Sequence, residues 1–321
     1  MKVALLSFAH RRAEAYARVL RDRSDVRLLA ADDDPVRAKD VAARLDIPVA
    51  SAWDAVFAER PDAVVVTSPP AGHRALVARA AESGAHVLCA QPVATTETEA
   101  LAMVAACERA EVGLTMVGTA RVSPAFAALR RAVAENELGP LLAVHAVRTE
   151  APPAAWDPAA HGGGALADCA PDLLDLVDGL LDGERPAQVY AQANRLLDPS
   201  AGVESAALLT VRYPSGPIIA LDCRWSSSSG GHGPVATVVG ERASVEFEPA
   251  PRLLDRFDAA TGHDRWEPGG ADLDAGVLNR FVTGVRDGVF AGPDAEAGLR
   301  VLRVVLAAYR SIETGQPVDL P

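Results

Sequence analysis

Residues 87–96 read VLCAQPVATT, and the fold turns on this stretch. Val87-Leu88-Cys89-Ala90 is an apolar run with the length and composition of a buried parallel strand. It stops at Gln91-Pro92, because proline forces its predecessor out of the helical region. Thr95 or Thr96 then has the chemistry to N-cap a helix beginning near Glu97. In an open α/β sheet, ligands bind beyond the carboxyl ends of strands, so Gln91 should face a binding crevice.

The same alternation extends outward on both sides. Before it come strands at 2–6, 26–31 and 63–67, a short extended segment near Val49, and helices at 11–21, 36–45, 53–58 and 73–83. After it come a helix at 97–110 and a strand at 114–118. This spacing predicts βαβ units and a doubly wound parallel sheet over residues 1–120. Beyond residue 120 the pattern changes: a helix at 124–135, a strand at 141–148, then Gly162-Gly163-Gly164 leading into a helix that ends near Gly183. Strand candidates at 188–195, 205–213, 217–226, 235–239 and 243–247 have Gly/Pro/Ser-rich turns, which predicts an open, mostly antiparallel sheet. Helices at 277–286 and 295–314 close an α+β domain spanning 121–321, the last of them placed to pack back on the N-terminal domain.

Composition bounds the function. A chain of 321 residues, 49% hydrophobic and 23% charged, is expected to bury two globular cores. A formal net charge of −12 argues against nucleic acid or an anionic membrane as partner. No apolar run approaches a membrane span, and residues 3–6 read as a first strand rather than a signal peptide. Cys89, Cys107, Cys169 and Cys223 lie far apart without CxxC spacing, as in free thiols of a reducing compartment, so a cytoplasmic location is expected. No His/Cys/Asp cluster has metal-ligand spacing, and there is no nucleophile motif.

The loop after the first strand is Ser7-Phe8-Ala9-His10-Arg11-Arg12. A dinucleotide fingerprint places GxGxxG here so that the backbone approaches a pyrophosphate at a helix N-terminus. Ser7 and Ala9 are small enough to stand for the first two glycines, and Arg12 at the third place is not. Asp32, about 20 residues on at the close of the second strand, is the acid expected to accept ribose hydroxyls. Asp33 and Asp34 would repel a 2′-phosphate, favouring NAD over NADP; alternatively Asp32–Pro35 is only a helix-capping turn.

Four motifs together resemble the glucose–fructose oxidoreductase / inositol dehydrogenase / rhizopine catabolism (Gfo/Idh/MocA) family. Val64-Val65-Val66-Thr67-Ser68-Pro69-Pro70-Ala71-Gly72-His73 is similar to an apolar strand followed by TPxxxH. Gly84-Ala85-His86-Val87-Leu88-Cys89-Ala90-Gln91-Pro92 is similar to GkhVlcEKP, and Gly162-Gly163-Gly164-Ala165-Leu166-Ala167-Asp168 to GGGaLlD. The tail Tyr309-Arg310-Ser311…Gly315-Gln316-Pro317-Val318 is similar to YxSxxtGkpV, and SFAH at 7–10 resembles one branch of the family. The resemblance implies a Rossmann domain followed by an α+β domain whose open sheet forms a homodimer or homotetramer interface. It also implies hydride transfer between nicotinamide and a sugar, cyclitol or related carbonyl compound. Ser7, Phe8, Ala9, His10, Asp32, Arg37, Ser68, Pro69, His73 and Gln91 are then the expected cofactor contacts.

The resemblance breaks at the chemistry. The family's EKP lysine is Gln91, its preceding glutamate is Ala90, and the acid/base histidine four residues beyond Asp168 is Asp172. Gln91 donates hydrogen bonds but carries no charge and exchanges no proton. Asp172 either acts as a base, coupled to Asp168 if both are buried, or supports the first turn of its helix with Asp175, Asp178 and Asp182 as one solvated face. His161, in the loop before the triple glycine, is a second acid/base candidate. Arg121 is expected either at the substrate or in an interdomain ion pair, and Trp225 in sheet packing. The leading reading is an NAD-dependent oxidoreductase using Asp168, Asp172 and His161 for the proton and Gln91 to orient the substrate oxygen. The alternative is a non-catalytic relative that binds dinucleotide or a sugar-like ligand.

Overall fold

The apolar runs of the first 120 residues become central strands because both faces of their sheet are covered. In the computed structural model, which describes residues 1–152, 156–197, 202–226, 232–249, 252–258, 263–268 and 272–321, six strands lie parallel. They are β1 (Lys2–Leu6), β2 (Arg27–Ala31), β3 (Val49–Ala50), β4 (Ala63–Val66), β5 (His86–Cys89) and β6 (Leu114–Met116), in the order β3-β2-β1-β4-β5-β6. Successive side chains alternate between two cores. Val3, Leu5 and Leu88 pack with α1 (Ala13–Arg21) and α2 (Pro35–Leu45), while Leu6, Val87 and Cys89 pack with α4 (Pro70–Glu82) and α5 (Glu97–Arg109). The short α3 (Trp53–Ala58) adds Val56 to the second core. Helix α4 starts three residues earlier than expected, because Pro70 occupies a first-turn position where no amide donor is needed. Thr96, with Oγ1 accepting from the Glu99 amide, is the N-cap of α5.

The second half contains α6 (Pro124–Ala134), β7 (Leu141–Glu150), α7 (Pro158–His161), α8 (Ala165–Leu180), β8 (Gln188–Asn194), β9 (Ala206–Arg212), β10 (Ile218–Trp225), β11 (His232–Gly240) and β12 (Ser244–Phe247). With a terminal β15 (Val318–Asp319), the strands form a seven-stranded sheet ordered β12-β11-β7-β10-β9-β8-β15. Only the β7–β10 pair is parallel, so the sheet is mostly antiparallel as the turns predicted. Its inward residues, such as Ala207, Leu209 and Val211, pack on α8 and on α10 (Ala295–Thr314). The hairpin β13 (Arg252–Asp258) with β14 (His263–Pro268) was not anticipated, since its charged residues interrupt any regular apolar period.

The closing helices return to the first sheet. Leu278 and Phe281 of α9 (Leu273–Asp287) join the core beside α1, and Leu299 and Leu302 of α10 join the core beside α5. Return of the last helix was expected; that of α9 was not. No described helix is long and apolar enough to cross a membrane.

Candidate active site

The strand order reverses its direction of growth between β1 and β4, which places a crevice beyond their carboxyl ends. A cleft of about 1000 Å³, its open mouth included, occupies that place. Its walls come from the β1–α1 turn (Ala9, His10, Arg11, Arg12), the β4–α4 turn (Ser68, Pro69), the end of β5 (Ala90, Gln91, Pro92), and from Arg148, Trp156, His161, Asp168 and Asp172.

The glycine-free turn works by compensation. Ser7 takes the left-handed conformation, φ +77°, which a glycine would adopt without steric cost. Thr67 Oγ1 donates to its carbonyl at 2.7 Å and holds it there. The Phe8 amide donates to Oδ2 of Asp32 at 2.6 Å, pulling the turn onto the end of β2. Asp32 is fully buried and also accepts from the Asp34 amide and from Arg37. Asp34 is the true cap of α2, accepting from the Val36 and Arg37 amides. Asp32 therefore stands beneath Arg37 rather than open to a ligand.

His73 lies outside the cleft. Its ring is fully buried, with Nδ1 3.0 Å from the Val93 carbonyl and Nε2 2.8 Å from the Ser68 carbonyl. It ties the turn after β4 to the turn after β5, and burial pulls its pKa down. His10 faces the cleft with Nδ1 accepting from the Arg12 amide at 3.2 Å, so its neutral ring carries the proton on Nε2. Burial, and then the charges of Arg11 and Arg12, hold its pKa well below the ordinary imidazole value.

On the facing wall the triple glycine lets chains approach closely. Gly163 sits at φ +147°, where a Cβ would lie 1.8 Å from the Tyr309 hydroxyl. Glu204 accepts from the Gly164 and Leu166 amides at 3.0 and 2.9 Å, closing the start of α8. The helix then carries Asp168 into the cleft, where Arg11 Nη2 and Trp225 Nε1 each donate to it at 3.0 Å. Trp225 is thus a hydrogen-bonding partner as well as a packing residue.

Asp172, Asp175, Asp178 and Asp182, the last of them beyond the end of α8, are not one solvated face. Asp175 and Asp178 are buried and both pair with Arg121, at 2.8 and 2.9 Å, and Asp178 also accepts from Arg300 at 2.6 Å. Burial pushes the Asp175 carboxyl up to about 6. Only Asp182 is exposed, paired with Arg130. Asp172 pairs with Arg148. Arg121 belongs to this ion-pair cluster and not to the cleft wall.

His161 is the last residue of the short α7, not a loop residue. Its ring stacks on Trp156, centroids 3.9 Å apart, and its Nδ1 lies 2.8 Å from the Asp157 carbonyl. A carbonyl only accepts, so Nδ1 carries the proton and Nε2 keeps its lone pair. Gln91, joined to Pro92 by a cis peptide bond, has both amide atoms buried without a hydrogen-bond partner in the same cleft. Arg148, Glu150, Arg11 and Trp156 escaped sequence reading. A clue to the first was its place on β7, where Val144 and Ala146 at period two are also buried. Among the described residues no His/Cys/Asp/Glu group has metal-binding geometry.

A parallel sheet with a crevice at its switch point, faced by His161 of α7, Asp168 and Asp172 of α8 and Arg148 of β7, is the arrangement of a dinucleotide-binding oxidoreductase. Residues 8–119 match the oxidoreductase family with NAD-binding Rossmann fold, and residues 126–246 match the GFO/IDH/MocA C-terminal domain. The chain is 30% identical over 295 residues to inositol 2-dehydrogenase of Acidothermus cellulolyticus, covering 89% of this chain and 85% of that protein. It is 26% identical to D-apiose dehydrogenase of Paraburkholderia graminis over 92% and 82% of the two chains. The crystal structure of GenD2 from gentamicin A biosynthesis, in complex with NAD, superposes with a TM-score of 0.90 over 100% of this chain and 96% of that one, at 23% identity. The chain belongs to the Gfo/Idh/MocA family and is an oxidoreductase acting on CH–OH groups.

Proposed function

We propose that this protein transfers hydride between NAD(H) and a ring hydroxyl or ketone of a sugar- or cyclitol-like compound. The observation that carries the reading is Gln91, whose buried amide has neither donor nor acceptor satisfied at the end of β5. An unpaired buried amide costs about 1–3 kcal/mol, so its retention points to a ligand oxygen that completes it. The cofactor fits the other wall: the Ser7 turn, Ser68 and Pro69 line the crevice, and Arg11 and Arg12 stand where a pyrophosphate meets the start of α1. When bound, nicotinamide supplies the hydride acceptor or donor.

The chain's own residues handle the oxygen and its proton. Gln91 donates to the substrate oxygen and fixes its direction. Nε2 of His161 accepts the hydroxyl proton during oxidation and returns it during reduction. Stacking on Trp156 and the bond to Asp157 hold that ring in one orientation. Asp168, held by Arg11 and Trp225, offers its remaining lone pairs to neighbouring hydroxyls, and Asp172 forms the polar floor with Arg148. The relatives named for inositol and apiose support a polyhydroxylated substrate.

The test is NAD⁺ reduction with a panel of cyclitols, aldoses and glycosides, run on the parent protein and on His161→Asn. Turnover with at least one compound, reduced about 10²–10⁴-fold by the substitution, is expected. Lack of turnover with every compound, alongside NADH binding, would leave a binding protein and overturn the reading.

A further inference from the structure

Arg148 is a charged group of the cleft that no sequence motif accounts for. It lies near the end of β7 with only 1% of its side chain exposed. Its Nε and Nη2 donate to Oε1 of Glu150 at 3.0 and 2.8 Å, while Nη1 faces the Asp172 carboxylate. Nη1 is buried and paired with Asp172, and Arg148 lines the cleft together with Gln91 and Asp172. A guanidinium has five N–H donors in a fixed fork, so the two contacts to Glu150 leave donors on the Asp172 side. A buried cation with spare donors in the same cleft as an unsatisfied amide is suited to an oxygen that acquires negative charge.

We infer that Arg148 is a catalytic residue that places its Nη1 at the substrate oxygen and stabilises the charge on it as the C–H bond breaks. The inference rests on the hydride-transfer reading above. In oxidation the O–H proton passes to Nε2 of His161, and a bound nicotinamide would take the C–H hydrogen with its electron pair. The carbon–oxygen double bond forms, and Arg148 keeps all its protons. Gln91 is uncharged, so the fixed positive charge that an alkoxide-like oxygen needs comes from Arg148. Asp172 is then the counter-ion that offsets the burial of the guanidinium, and Glu150 orients its fork.

A carboxylate placed where the oxygen charge develops should report this cation without any turnover. Calorimetry on the NAD⁺-loaded protein compares D-gluconate with D-glucitol, the same carbon chain with and without the charge. The parent should bind gluconate about tenfold tighter or more, the range of a hydrogen bond to a charged partner. Arg148→Lys should keep a preference, and Arg148→Met should lose it. The double variant Arg148→Met with Asp172→Leu removes both buried charges, a replacement that generally preserves folding, and should lose the preference as well. In the CH–OH oxidation assay, Arg148→Met should lower kcat about 10²–10³-fold with little change in KM, and Arg148→Lys should recover part of it. Failure to bind either probe, equal binding of the two by the parent, or a gluconate preference that survives in the double variant would overturn the inference. A gluconate preference lost with Arg148 in a protein that oxidises nothing would instead overturn the functional reading and leave Arg148 as the anion-binding group.

Discussion

Arg37 closes on Asp32 with two parallel hydrogen bonds, Nε to Oδ2 and Nη2 to Oδ1, each 2.7 Å long. With the Phe8 and Asp34 amides, the fork fills the carboxylate, so a ribose hydroxyl reaches it only by taking over one of these bonds. Asp33 and Asp34 still flank the place where a 2′-phosphate would lie, with Asp33 the more exposed. NADH should therefore bind tighter than NADPH in calorimetry. Asp32→Asn should weaken NADH binding and also lower the melting temperature, because Arg37 loses its counter-ion. Equal affinity for the two cofactors would refute the assignment.

Gln91→Leu should separate stability from function. The substitution removes a buried amide that has no partner in the ligand-free protein, so denaturant unfolding should show unchanged or higher stability. Turnover should fall about 10²–10³-fold, as on loss of a donor to a developing oxyanion. A variant that is both destabilised and fully active would contradict the role given to this side chain.

Stability should fall below neutral pH. Burial holds His73 and His10 below the ordinary imidazole value, so the unfolded chain takes up their protons first as pH falls through about 6.5. Their contribution is full above that pH and is lost below it. Asp175, pushed up to about 6, has the opposite sign, gaining a proton in the folded state first. Two histidines against one acid leave a net loss of stability as pH falls below about 6.5. Urea titrations across pH 5–7.5 measure it. His10→Asn should flatten the slope and Asp175→Asn should steepen it.

The face of the seven-stranded sheet turned away from α8 carries Leu208, Ile218 and Val235, each 41–60% exposed. An apolar face of this kind favours association, so a dimer or tetramer is expected by light scattering at micromolar concentration. Leu208→Glu, at the middle of the face, should shift the protein toward monomer without lowering the stability of the isolated chain.

Local chemistry along the chain was enough for the architecture. The runs at 3–6, 63–66 and 87–90 can be satisfied only between two helical layers, and proline after Gln91 stops its strand wherever it is placed. The four motifs were enough for the family, and the structure brings Gln91, His161, Asp168 and Asp172 to one cleft. Partner choice was beyond the sequence, because it depends on side chains more than a hundred residues apart. Asp168 meets Arg11 across 157 positions, and Asp178 meets Arg300 across 122. A carboxylate's role follows from the charge that faces it and from the water it loses, so tertiary packing alone decided that Asp175 and Asp178 are buried and Asp182 is not. Packing likewise decided that Arg148 meets Asp172, since only closure of α8 onto β7 brings the two together at the cleft.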